Sequence, residues 1–207
     1  MLERIAQVSG EVRQLAADHG TEAALERIAS AYREQTGTDG HVLHYLPSEQ
    51  LLALLSTRGE LDTARSLYLA ELLTLEADLV GDRDATDPQV AKALDLYLEA
   101  ISGDRELIDE YAARVEKLIE RLEDLELAGL TERRIFEFYL ARGAYAAAED
   151  RLFSLLDRVG PDPELVARGR RFYLELQALP DSELSRGGLP ASEVEEGLRA
   201  LEKLANE

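Results

Sequence analysis

The chain has 207 residues, and its 42 acidic against 23 basic side chains leave a net charge of −19 at pH 7. That balance argues against a nucleic-acid or membrane partner, because binding to phosphates or anionic lipid relies on a basic patch that releases counterions. Cysteine is absent, which excludes structural disulfides and thiolate metal sites, and no run of about 18 apolar residues is present to span a bilayer.

Helix-period spacing of apolar residues runs the length of the chain and predicts an all-α fold; the one short stretch with strand-like alternation is His41-Val42-Leu43-His44-Tyr45-Leu46. The opening residues, Met1-Leu2-Glu3-Arg4-Ile5, enter an amphipathic charged pattern at once, with neither the basic nor the apolar segment of a signal peptide. A cytoplasmic address is therefore expected. Four glycines, Gly20, Gly59, Gly103 and Gly143, recur at spacings of 39, 44 and 40 residues, each between two helical patterns. Prolines mark helix starts, since a first-turn residue has no intrahelical partner for the N–H that proline lacks. Leu46-Pro47-Ser48, Asp87-Pro88-Gln89, Asp162-Pro163-Glu164 and Leu189-Pro190-Ala191 all fit that rule.

These signals predict a first helix pair over 2–35, then a loop through Gly37, Asp39 and Gly40, and a second pair over 48–80 that turns at Gly59. A polar break over 81–86 precedes a third pair, 88–127, whose second helix runs from Arg105 to Leu127. The fourth pair covers 132–158 and turns at Gly143, and a tail pair covers 163–205, with room for one extra helical turn between 180 and 188. The expected architecture is a single helical-repeat domain over 1–207, a right-handed stack of antiparallel helix pairs.

Two pairs align at an offset of 84 residues, from Gly59 to Gly143: Leu51, Leu55, Gly59, Leu61, Ala64 and Tyr68 match Ile135, Tyr139, Gly143, Tyr145, Ala148 and Leu152. Large apolar residues one turn apart line the inner seam of the first helix, glycine turns the chain, and alanine lets the second helix approach closely. This constellation resembles the tetratricopeptide repeat, although Phe136 stands where that motif usually has a small residue and the glycine spacing is longer than a standard repeat. A second resemblance rests on Ala24-Leu25-Glu26-Arg27-Ile28, the stretch from Leu46 to Leu52, YAAAEDRLFSLL from Tyr145 to Leu156, Phe172-Tyr173, Leu179-Pro180-Asp181, and GGLPASEVEEGL from Gly187 to Leu198. These segments resemble a bacterial family of unknown function with tetratricopeptide-like helices. The resemblance implies a bacterial cytoplasmic protein and carries no catalytic residues with it.

Candidate chemistry is sparse. His41-x-x-His44 is the only histidine pair and lacks the further ligands of a zinc or iron site, and no phosphate loop, nucleophile elbow or His-Glu-x-x-His is present. No cofactor and no metal are expected, and the protein is read as a non-enzyme. Arginines and aromatics concentrate in the fourth pair and the helix after it. In tetratricopeptide geometry the first helices of the pairs line a concave groove, which assigns partner binding to Arg133, Arg134, Glu137 and Phe138 in one repeat and to Glu49, Gln50 and Ala53 in the other. Phe138 points away from part of the stripe formed by Ile135, Phe136 and Tyr139, so it is expected to be an exposed anchor. The competing reading of the arginines is ordinary interhelical ion pairing. The leading expectation is therefore a protein–protein interaction module that holds a peptide or partner helix. The alternative is a self-associating assembly protein: Ile108, Tyr111, Val115, Leu118, Leu122 and Leu125 have the spacing of a coiled-coil seam, and a homodimer would form through the 105–127 helix.

Overall fold

The computed structural model describes residues 2–205, which are helical apart from turns, loops and one two-stranded ribbon. Among the described residues no helix is long and apolar enough to cross a membrane. The chain divides into two compact units, one ending at Leu127 and one beginning at Ala128. The pairs expected over 2–35, 48–80 and 88–127 fall in the first unit, and those over 132–158 and 163–205 fall in the second.

In the first unit, α1 (Leu2–His19) and α2 (Thr21–Thr36) form the expected opening hairpin. The helix that organises this unit is α5 (Thr63–Val80), in which every residue from Ser66 to Leu75 is buried. A helix that is apolar on all sides has to be enclosed, and α1, α2 and α6 (Arg83–Ile101) pack around it. Each of its buried leucines contributes about 1.5–3 kcal/mol by leaving water. Among them sits one charge, Glu71, only 3% exposed. Its Oε1 accepts from the Ser9 hydroxyl at 2.9 Å and from Arg114 at 2.7 Å, and its Oε2 accepts from the Tyr97 phenol at 2.7 Å. A buried carboxylate is tolerated only with partners of this kind. Burial first, and then the Glu71 charge, push the Tyr97 phenol well above its ordinary pKa, so it remains a donor.

Several boundaries differ from those expected, each for a local reason. The strand-like stretch at 41–46 belongs to a short helix, α3 (Gly40–Tyr45), which buries Leu43; six residues are too few for a period of 2 to be told from one of 3.6. The polar break at 81–86 is the start of α6, because the Asp82 carboxylate accepts from the Ala85 N–H and caps the helix. Pro88 therefore lies in the second turn of α6 rather than at its start. The hydrogen bond it forfeits would reach the carbonyl of Asp84, an exposed residue that water can serve. Helix α7 (Arg105–Arg121) packs on α6 and stops six residues short of Leu127, where the exposed Glu123, Asp124 and Glu126 would oppose the negative end of the helix dipole.

The turn at Gly59 is the largest departure. Helix α4 (Ser48–Leu54) ends early, and the chain forms an antiparallel ribbon of β1 (Ser56–Thr57) and β2 (Glu60–Leu61), with Ser56 opposite Leu61 and Thr57 opposite Glu60. Arg58 and Gly59 both have left-handed backbones, with φ of 58° and 85°, the geometry of a two-residue type I′ hairpin. Gly59 thus turns a β-ribbon, not a pair of helices.

In the second unit the expected turn at Gly143 is present between α8 (Gly129–Arg142) and α9 (Tyr145–Val159). Gly143 has φ of 71°; its N–H donates to the Leu140 carbonyl at 3.0 Å, and the Ala144 N–H donates to the Tyr139 carbonyl at 2.9 Å. That pair of bonds is a Schellman cap, which satisfies two carbonyls at the helix end. Pro163 opens α10 (Pro163–Gln177), the extra turn between 180 and 188 is α11 (Asp181–Arg186), and α12 (Ala191–Leu204) closes the unit against α10. Phe136, Leu152, Leu156, Phe172, Tyr173 and Leu201 form its core. A side chain at Gly187 would run into the Tyr145 ring and the Gly143 carbonyl oxygen, and that absence of side chain lets the α11–α12 loop seat on the α8–α9 turn. The Ala146 N–H donates to the Gly187 carbonyl at 3.1 Å across this contact.

Candidate functional site

The residues assigned to a groove from sequence fall into two sets, one in each unit. In α8 the Arg133 guanidinium lies 3.5 Å from the Asp162 carboxylate and 3.9 Å from that of Glu164. Glu137 accepts a bidentate pair of hydrogen bonds from Arg168, at 2.6 and 2.7 Å, and the Arg168 guanidinium also stacks 5.0 Å over the Phe136 ring. Arg134 is half-buried and engaged with other groups of the chain. Arg151 and Arg158 both face Glu132, and Arg170 forks onto Glu202. The arginine-rich surface is therefore largely used in ion pairs within the unit.

Phe138 is a correction: it is 4% exposed, with its ring 5.4 Å from that of Tyr139. Thr131, Ile135 and Phe138 recur at i, i+4 and i+7 and are buried beside a second stripe of Glu132 and Phe136. Helix α8 is covered over a wider arc than a single seam, so Phe138 cannot serve as an exposed anchor. Glu49, Gln50 and Ala53 are exposed on α4, as is Leu54. On α7, Ile108, Val115, Leu118 and Leu122 are buried, which leaves Tyr111 and Leu125 as the partly exposed members of the proposed seam.

One concavity of the first unit is an open cleft of about 520 Å³ walled by α2, α3 and α5. Leu25 and Ala29 of α2 and Val80 of α5 supply an apolar wall, and Arg33, Asp39 and His41 stand at its edge. Glu76 lies in it, on the same all-round apolar helix as Glu71 but at the margin of the core. Its Oε2 accepts from the Tyr32 phenol at 2.7 Å and contacts Nε2 of His44 at 2.9 Å. The Tyr32 and His44 rings meet edge to face at 6.0 Å. On its far side His44 is held by Gln89, whose amide nitrogen is 3.2 Å from Nδ1, and by Lys92, which donates to the His44 carbonyl. A carboxylate oxygen can only accept, so His44 carries a proton on Nε2 and donates it to Glu76.

Electrostatics reinforce this order. Burial, followed by the Glu76 charge, raises the Tyr32 phenol well above its ordinary pKa, so Tyr32 donates at any physiological pH. Burial also lowers the Lys92 ammonium from its usual value. A side chain on Gly40 would collide with the Tyr32 ring, so this glycine sets the approach of α3 to α2. At the rim, Arg33 donates to Asp39 at 2.9 Å, which offsets the one arginine that lines the cleft among the described residues. Among the described residues no group of three or more His, Asp or Glu side chains is placed to hold a metal ion.

Sequence reasoning missed this cleft. A signal was present in Glu71, inside the buried stretch of α5, and Glu76, at its end, since charges in such a setting need specific partners. His44 was noted, but its partners lie 32 and 45 residues away along the chain, beyond the reach of any local pattern.

A family model matches residues 70–206, which takes in Glu76, Val80, Gln89 and Lys92 and leaves α1 to α4 outside. Of the segments that suggested a family, those from Tyr145 onward lie inside this match, and 24–28 and 46–52 lie before it. No curated protein and no solved structure matches the chain. With well over half of its length matched, from the middle of α5 to residue 206, the chain belongs to the family of unknown function DUF6483.

Proposed function

We propose that the protein is a non-catalytic interaction module that holds a peptide or partner helix of another protein, and that the α2–α3–α5 cleft is where it does so. The observation that carries this reading is the cleft itself together with its border. Its volume of about 520 Å³ falls in the range of ligand-binding clefts, and apolar side chains share its walls with a few organised polar groups. On α3, where His41 and His44 line the cleft, Val42 and Tyr45 stand one position further round and are exposed, Tyr45 by 86%. An aromatic held so far out of the core is of the type that dominates binding energy at protein interfaces. A cytoplasmic, bacterial protein belongs to the same reading. So does a tetratricopeptide-like character of the α8–α9 hairpin, where the glycine turn and the close approach of Ala148 support it.

Selection of a random peptide library on the full chain tests the proposal. Selected peptides are expected to shift the NMR resonances of Leu25, Ala29 and Val80, and Tyr45→Ala is expected to weaken them about tenfold, the loss of a modest hot spot of about 1.4 kcal/mol. Peptides that bind Tyr45→Ala as tightly as the parent and leave the cleft resonances unmoved would refute it.

A further inference from the structure

We propose that the α2–α3–α5 cleft receives one basic side chain, a lysine or arginine of the partner segment, with its cationic head on Oε1 of Glu76 and its aliphatic stem along Leu25, Ala29 and Val80. The inference rests on the reading of this cleft as a docking site and adds the chemistry of what docks.

Three observations lead to it. The first is the uneven use of the Glu76 carboxylate. Each carboxylate oxygen has room for about two hydrogen bonds. Oε2 is filled by Tyr32 and His44, whereas among the described residues no donor reaches Oε1. The Glu76 side chain is only 19% exposed and lines the cleft, so an oxygen without a protein donor is open to a donor that enters there. A donor arriving from outside would gain a charge-assisted hydrogen bond in a partly desolvated place, where such bonds are strongest.

The second observation is that the carboxylate is held in position before any ligand arrives. Tyr32 and His44 anchor Oε2, and Gln89 and Lys92 in turn hold His44. An acceptor fixed by two further layers of contacts does not have to be ordered again on binding, which lowers the cost of recognition. The third is the match of the walls. Lysine and arginine bury their methylene stems against apolar surface while the head seeks charge, and Leu25, Ala29 and Val80 offer that surface beside the acid. A neutral apolar side chain would fit the same walls but leave Oε1 without a partner. An acidic one would meet Glu76 directly and, before that, a chain of net charge −19. With Arg33 already engaged by Asp39, the cleft has no free arginine of its own to fill the place.

The test uses the full chain and three small probes: Nα-acetyl-lysine amide, Nα-acetyl-arginine amide and Nα-acetyl-leucine amide. Each is titrated while the methyl resonances of Leu25, Ala29 and Val80 are followed. The two cationic probes are expected to bind at least about tenfold more tightly than the leucine probe, and Glu76→Gln is expected to abolish that preference. Leu25→Lys provides a second variant that keeps the Tyr32 and His44 donors to Glu76 and puts a lysine in the wall of the cleft; it is expected to abolish the preference as well, and it decides the matter if Glu76→Gln fails to fold. Equal binding of the leucine probe, or a cationic preference that survives in both variants, would overturn the assignment of a basic side chain while leaving the cleft as a docking site. If no probe moves the cleft resonances, this inference falls, and the peptide selection described above independently decides whether the cleft docks anything.

Discussion

The hairpins around Gly59 and Gly143 match at six apolar and small positions, yet one turns through a β-ribbon and the other through a capped helix end. The difference lies in the residues that the pattern ignores. Before Gly143 the chain reads Leu140-Ala141-Arg142, all good helix formers, and α8 runs up to the glycine. Before Gly59 it reads Ser56-Thr57-Arg58. The Ser56 hydroxyl donates back to the Leu52 carbonyl at 2.7 Å, and β-branched Thr57 prefers an extended backbone, so α4 ends at Leu54. After the glycine, Asp62 caps α5 through the Arg65 N–H at 3.0 Å and sets its start at Thr63, whereas α9 starts at Tyr145, two residues past Gly143. Apolar spacing therefore establishes which side chains face inward. The polar residues at the turn decide how the chain gets from one helix to the next.

The helices that follow the two turns differ as well, and the largest expected effect comes from that difference. At the position where α9 carries buried Leu155, α5 carries Glu71, tied to Ser9, Tyr97 and Arg114. Replacing Glu71 by alanine leaves Arg114 and a buried phenol without their acceptor and is expected to cost about 3–5 kcal/mol, measured by urea denaturation. A loss under about 1 kcal/mol would mean that this network is incidental to the first unit.

A smaller effect separates Arg65 from its counterpart Glu149. In the second unit Glu149 accepts from the Tyr173 phenol at 2.5 Å, and a side chain at Gly197 of α12 would collide with both. Burial, its largest cause, raises the Glu149 pKa from 4.5, against the opposing pull of the Tyr173 hydrogen bond. A carboxyl whose folded pKa exceeds its unfolded one binds more protons when folded, so its contribution to stability falls as pH rises from about 4.5 through the raised value. Glu149→Gln is expected to flatten that part of the stability profile and to leave the Glu71 network untouched. An unchanged slope in denaturation across pH 4 to 7 would remove Glu149 from the account.

The smallest effect tests the turns themselves, through opposite signs at aligned positions. Arg58 has a positive φ in the type I′ turn, which favours asparagine before glycine, so Arg58→Asn is expected to stabilise by about 0.5 kcal/mol. Arg142 closes α8, where asparagine is the poorer helix former, so Arg142→Asn is expected to destabilise by a similar amount, about 0.5 kcal/mol. Thermal unfolding of the two variants side by side gives the signs; the same sign in both would mean that the two turns are alike after all.

Much of the helical framework was legible in the sequence because its signals are local. The turn at Gly143, the helix start at Pro163, the extra turn that became α11 and the pairing of Arg151 with Glu132 all follow from residues within a few positions of one another or from helices joined by short loops. Where two local rules competed, the reading went astray. Pro88 signalled a start that Asp82 had already provided, and the acidic run after Arg121 outweighed a stripe that continues to Leu125. The groove assigned to α8 failed at Phe138 for a different reason: the helix is covered on two sides, and Phe138 lies on one of them.

By itself, then, the sequence determined an all-α chain, the faces its helices bury and the absence of thiolate chemistry, since periodicity, capping and composition act over one or two turns. Only the tertiary structure decided that α5 would be enclosed, that Glu71 would find partners on α1, α6 and α7, and that Glu76 would meet Tyr32 and His44 in the wall of a cleft. Those contacts join residues 26 to 62 positions apart, and the free energy that selects them belongs to the packed arrangement of several helices at once. No single segment carries that information.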